Sequence, residues 1–148
     1  MENTKGCTLF YFASYHKTFD VPEEWLGSER HVHLDLGDVY ELAEIYVNGQ
    51  SAGIVWKPPF RADISSFLKP GNNQLKIEVM NLWINRLSGD MKLPEHKRFT
   101  RSNIKSDYST YYSPAEPWHE ETSGLLGPVR LLSSLQVLVN SDKRKGTR

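Results

Sequence analysis

The 148-residue sequence holds a single cysteine, Cys7. One thiol cannot form an internal disulfide, and a cysteine-rich zinc site is excluded. There is no charge of one sign in excess. Lysine plus arginine is 18 and aspartate plus glutamate is 18, so net charge offers no attraction to nucleic acid or to an anionic membrane surface. No apolar run approaches the roughly 18 residues of a membrane span. The opening M-E-N-T-K-G-C-T-L-F-Y-F lacks the basic lead, apolar segment and small-residue cleavage site of a secretory signal. The chain as given therefore reads as soluble and cytoplasmic, with the compartment of any longer parent, periplasmic or secreted, left open. The length fits one domain and falls short of a (β/α)8 barrel, which needs roughly 200 residues or more. There is no internal repeat, no low-complexity segment and no phosphate-cradling glycine loop, and no cofactor is expected.

What is present is a period of two. Val32, Leu34 and Leu36 alternate with His31, His33 and Asp35. Ala43, Ile45 and Val47 repeat the pattern, as do Leu75, Ile77 and Val79. Tyr15, Phe19 and Val21 share a face on which Lys17 is the misfit. Each run reads as a half-buried antiparallel strand. P-V-R-L-L-S-S-L-Q-V-L-V reads as two more strands with weaker alternation. Asn48-Gly49 is a hairpin signal, because a type I′ turn needs positive φ at both central residues. Gly53 predicts a bulge, Pro58-Pro59 ends its strand, and Ser65 is placed to cap one helical turn. About eight short strands with almost no helix predict two packed sheets, an all-β jelly-roll β-sandwich. Residues 1–12 and 141–148 read as tails and 13–140 as one domain. Residues 91–127 lack periodicity and read as a long loop rich in aromatics. Loops of that length are uncommon and tend to be functional or disordered.

Three runs carry a resemblance. V-N-G-x-x-x-G begins at Val47, L-x-x-G-x-N-x-L begins at Leu68, and W-x-N-R-L-x-G-D begins at Trp83. Over about residues 13–132 the chain resembles the sugar-binding domain of glycoside hydrolase family 2, a galactose-binding-domain-like jelly roll. The third run looks more specifically like the C-terminal β-sandwich of bacterial α-L-rhamnosidase-type glycoside hydrolases. The resemblance implies a non-catalytic accessory or carbohydrate-binding module. In such enzymes a separate barrel carries the catalytic carboxylates, and that barrel is absent from this sequence. The implied partners are a carbohydrate, bound weakly and of plant or rhamnose-containing type, or a glycoside hydrolase catalytic domain, or both. The alternative is a structural docking domain that has no sugar ligand and packs on a catalytic chain through 91–127.

The candidate sugar-binding residues are Trp83, Asn85, Arg86, Asp90, Trp118, Tyr111, Tyr112 and Trp56. Sugar CH faces stack on aromatic rings, and planar amide, guanidinium and carboxylate groups match vicinal hydroxyls. Each has a plainer reading. Asn81, Trp83 and Asn85 continue the parity of Val79, so a straight strand turns all three inward. Trp83 then fills the rim of the core, the amides satisfy loop backbone, and Arg86 and Asp90 clamp the loop. Trp56 shares the parity of Ile54 and reads either as core or as an exposed ring flanked by Lys57 and Arg61. Tyr111, Tyr112 and Trp118 form either an exposed platform or a small satellite core. Glu116, Glu120 and Glu121, with Asp107 nearby, fix no carboxylate separation, and glycoside hydrolysis requires two carboxyl groups across a cleft. His31 and His33 have no third ligand in view, so no metal site is expected, while a structural calcium held by carbonyls and aspartates stays open.

Overall fold

A computed structural model describes residues 12–27, 29–91, 93–100 and 121–137. Within them the chain forms β1 (Phe12–Val21), β2 (Arg30–Asp35), β3 (Asp38–Tyr40), β4 (Leu42–Val47), β5 (Gln50–Val55), β6 (Arg61–Asp63), β7 (Gly71–Met80), α1 (Ile84–Met91), β8 (Gly124–Gly127) and β9 (Arg130–Leu135). A four-stranded sheet has the order β1-β7-β4-β5, and a three-stranded sheet has the order β6-β2-β9. A third pair, β3 and β8, lies beside β7. Every pairing is antiparallel. This is the expected β-sandwich. No helix among the described residues is long and apolar enough to cross a membrane.

The alternation read in the sequence builds the core. Val32, Leu34 and Leu36 enter it from β2 and its end, Ala43, Ile45 and Val47 from β4, and Leu75, Ile77 and Val79 from β7. Each of these larger side chains contributes about 1.5–3 kcal/mol by leaving water. Tyr15 and Phe19 pack on the cluster from β1.

The hairpin and the bulge form where the glycines predict them. Asn48 has φ 52 and Gly49 has φ 81. Ile45 pairs with Gly53 and Tyr46 with Ser51, which leaves Ala52 as the extra residue. Asn48 and Asn73 touch, so the first two resemblance runs meet in one lock. The Asn48 amide donates to Asn73 Oδ1 at 2.8 Å and to the Phe67 carbonyl at 2.8 Å. Asn73 donates to the Lys69 and Gly71 carbonyls and accepts from the Lys69 N–H. Asn73 is fully buried with both donors and its acceptor oxygen in use, which is how a core tolerates an amide.

Several local expectations are overturned. The strand does not run straight past Met80, and residues 84–91 form a helix. Ile84, Leu87 and Met91 recur at spacings of three and four, a helical stripe hidden under the period-two reading. Trp83 consequently does not fill the core rim; it is 53% exposed. Trp56 is 67% exposed, not core, because β5 is the terminal strand of its sheet and Ile54 and Trp56 fall on its outer side. The run from Pro128 holds one strand in its described part, not two, and residues 138–139 lie outside the described residues. Gly124–Gly127 is itself a strand, so the non-periodic segment ends earlier than expected. Ser65 does not cap its turn. Asp63 Oδ1 accepts the Ser65 N–H at 2.9 Å, and the Ser65 hydroxyl instead accepts the Val32 N–H at 2.8 Å.

Candidate functional site

The third resemblance run folds into a clasp around α1. An isolated eight-residue helix containing Ser88 and Gly89 is too short to persist in water, so tertiary bonds hold it. The Asn81 side-chain oxygen accepts the Gly124 N–H at 2.9 Å. The Asn85 amide donates to the Glu121 carbonyl at 2.8 Å and to the Ser123 hydroxyl at 3.2 Å, and its oxygen accepts the Glu121 N–H at 2.7 Å. One planar amide therefore reads the Glu121 backbone at two points, tying the helix to the approach of β8.

The far end of α1 is held by charge. Arg86 Nη2 lies 3.6 Å from Asp90 Oδ1, one helical turn on. Asp90 Oδ2 accepts the Thr100 N–H at 2.6 Å and the Thr100 hydroxyl at 2.5 Å. The Arg86 guanidinium sits 4.1 Å from the Phe99 ring centroid, a cation–π contact. The Arg86 and Asp90 side chains are only 13% and 5% exposed. Burial pushes the Asp90 carboxyl up, but the Thr100 hydroxyl, the Thr100 and Phe99 N–H groups and Arg86 outweigh it and hold it below the ordinary range.

The expected site residues thus divide. Arg86 and Asp90 come together, Asn85 turns instead to Glu121 and Ser123, and all three engage protein. Trp83 stands at the mouth of the helix beside exposed Leu82. The adjoining recess, bordered by Tyr40, Asn81, Asn85 and Ser123, measures about 10 Å³, room for about one water molecule and not for a sugar ring. Trp56 lies elsewhere, with Lys57 Nζ 5.3 Å from its ring centroid. The Arg61 guanidinium is engaged by Asp35 of β2 at 2.8 Å. Tyr111, Tyr112, Trp118, Glu116, Glu120 and Asp107 lie outside the described residues.

Sequence reasoning missed the outer face of the four-stranded sheet. Phe12, Met80 and Leu42 are successive register partners across β1, β7 and β4. Trp56 follows Val55, the partner of Ala43, and Ile54 sits opposite Glu44. An apolar band therefore crosses one end of this face. Its signal was present as apolar residues at outward parity in β5. The next rows are polar. Glu44 and Glu78 are register partners. Lys76 Nζ binds Glu78 at 2.9 Å and lies 4.0 Å over the Tyr46 ring, and Ser51 donates to Glu44 at 3.1 Å. Nor does outward parity foretell the partners of His31, whose Nδ1 is 2.8 Å from Asp63 Oδ2 and whose Nε2 is 3.1 Å from Gln136 Oε1.

Comparison with known proteins places this geometry. The family model described as "Glycosyl hydrolases family 2, sugar binding domain" matches residues 4–114. A protein of Formosa agariphila named "Putative beta-glucuronidase" is 41% identical over 135 residues, which is 80% of this chain and 12% of that protein. The solved structure of a rhamnosidase from Novosphingobium sp. PP1Y superposes with TM-score 0.67 at 35% identity, over 83% of this chain and 11% of that one. A beta-D-glucuronidase of Dictyoglomus thermophilum is 34% identical over 47% of this chain and 12% of its own, with TM-score 0.43. The 148 residues thus span about an eighth of the length of these relatives and share the rhamnosidase's β-sandwich. By the family match and the shared fold, the chain belongs to the sugar-binding domain family of the family 2 glycosyl hydrolases.

Proposed function

We propose that the chain is a non-catalytic accessory module of a rhamnosidase-like glycoside hydrolase system, and that it works by docking on a catalytic body. One observation carries this reading. The polar groups that would grip a sugar, Asn85, Arg86 and Asp90, are spent on the protein's own backbone and on each other, while the outer sheet face presents an apolar band of exposed Phe12, Ile54 and Trp56 with half-buried Leu42 among them. Sugar sites are concave with convergent polar groups, whereas flat apolar patches suit protein contacts. The described register pair of carboxylates, Glu44 and Glu78, lies on an open sheet face engaged with Ser51 and Lys76, unlike the facing pair across a cleft that hydrolysis uses.

A second reading has one observation behind it. Trp83 and Trp56 are both more than half exposed, and an exposed indole is a stacking surface for a sugar. Tryptophan fluorescence titrated with L-rhamnose, D-galactose and a rhamnose-containing pectic oligosaccharide separates the two. Docking predicts no saturable shift, together with concentration-dependent self-association of the isolated chain that Trp56→Ser reduces. A saturable shift lost in a folded Trp83→Ala variant replaces docking with carbohydrate binding.

A further inference from the structure

The two main sheets differ in width. Four strands face three, and β5 packs on β6 along one side of the sandwich. On the other side β1 and β9 are the terminal strands, and among the described residues neither has a partner on its second edge. An apolar cleft of about 280 Å³ opens between them. Tyr15, Phe19, Leu75 and Ile77 line it from the wider sheet, and Leu34 and Leu131 from the narrower one. Lys17, the misfit on the inward face of β1, lies at this cleft, and so does Arg130 of β9. No carboxylate is among its described lining residues. Asp35, the register partner of Arg130, forms its salt bridge with Arg61 and feels Arg130 only as a weaker neighbouring charge. Neither Lys17 nor Arg130 makes a salt bridge among the described residues.

We infer that this side of the sandwich receives one further β-strand from a partner polypeptide, an extended segment with apolar residues at alternate positions and an aspartate or glutamate set against Lys17 and Arg130. A free strand edge supplies a row of backbone donors and acceptors, and the cleft beside it supplies pockets for every second side chain, the two components of recognition by strand addition. An apolar anion such as a short fatty acid would fill the cleft yet leave the edge of β9 unpaired, which is why a strand fits better. A second copy of this chain is a poorer match, since its β9 carries no carboxylate to set against Lys17 and Arg130.

The test is selection of a displayed random decapeptide library on the purified chain, followed by amide NMR mapping of the enriched peptide. The expected peptides alternate apolar residues, carry an acid, shift the amides of 130–135 and lose at least tenfold in affinity when alternate peptide nitrogens are methylated. Lys17→Glu and Arg130→Glu weaken them at least tenfold while leaving circular dichroism unchanged. The inference is overturned by failure to enrich any peptide, or by binding that maps away from β9 or survives methylation. It is equally overturned if octanoate alone occupies the cleft and no peptide does, or if sedimentation shows that β9 pairs a homodimer.

Discussion

At the scale of single residues, a few side chains and turns decide more than their number suggests. Asn73 is buried with all its hydrogen-bonding groups engaged, one of them by Asn48. Asn73→Ala strips partners from the Lys69 and Gly71 backbone, and a buried group left unmet costs about 1–3 kcal/mol. Urea unfolding is expected to show a loss at the upper end of that range. Two glycines make a sharper comparison. Gly37 has φ +65, and a Cβ there would lie 2.5 Å from the Gly127 carbonyl carbon. Gly49 has φ +81 and nothing within 4 Å of the same position. Gly49→Ala meets only the left-handed penalty, about 1–2 kcal/mol. Gly37→Ala meets that and a backbone collision, so its unfolding midpoint should fall clearly further; equal midpoints would refute the close approach of the β3 and β8 ends.

At the scale of elements, α1 exists because of what it touches. Its sequence contains a glycine and a serine, and eight residues are marginal as an isolated helix. The Asn85 bonds to Glu121 and Ser123 and the Asp90 bonds to Thr100 fix its two ends. Asn85→Ala is therefore expected to raise amide exchange across 84–91 and 121–123 together, by tenfold or more, while β4 and β7 keep their protection. Uniform exchange across the sandwich would mean that the helix is not a separately held unit. The helix was legible in the sequence as the spacing of Ile84, Leu87 and Met91, but the alternation running in from β7 competed with it. The hairpin and the bulge had no such competitor, since positive φ leaves few residue choices.

At the scale of the whole molecule, one polar junction couples the narrower sheet to pH. His31 on β2 meets Asp63 on β6 and Gln136 beyond β9. The bonds from Asp63 and Gln136 raise the His31 pKa above its ordinary 6.5. Burial pushes Asp63 up, but the Ser65 hydroxyl and N–H and the two histidines outweigh it and bring it from 3.8 to about 2. A raised histidine stabilises fully below 6.5 and loses that contribution as pH rises through its folded value. A depressed aspartate stabilises above 3.8 and loses its contribution as pH falls towards 2. Both contributions are present together between about 4 and 6.5. The melting temperature of the protein relative to a His31→Leu variant should be highest in that window and the gap should narrow by pH 8.5; a gap independent of pH would show that His31 acts by packing alone.

The sequence by itself determined the two-sheet architecture, the inward residues of β2, β4 and β7, and the Asn48-Gly49 turn, because period, burial and backbone sterics act locally and repeat along the chain. Only the tertiary structure decided the fate of the polar residues after Met80 and of Trp56. Parity says which side of a strand a residue takes, but not whether a second sheet covers that side. At Val79 it does, and at Ile54 and Trp56 it does not. Likewise an amide, a guanidinium and a carboxylate within six residues read equally as ligand or as clasp. The choice fell to residues 99–100, just beyond the helix, and to 121–124, some 36 to 43 residues on, which meet these side chains only when the chain is folded.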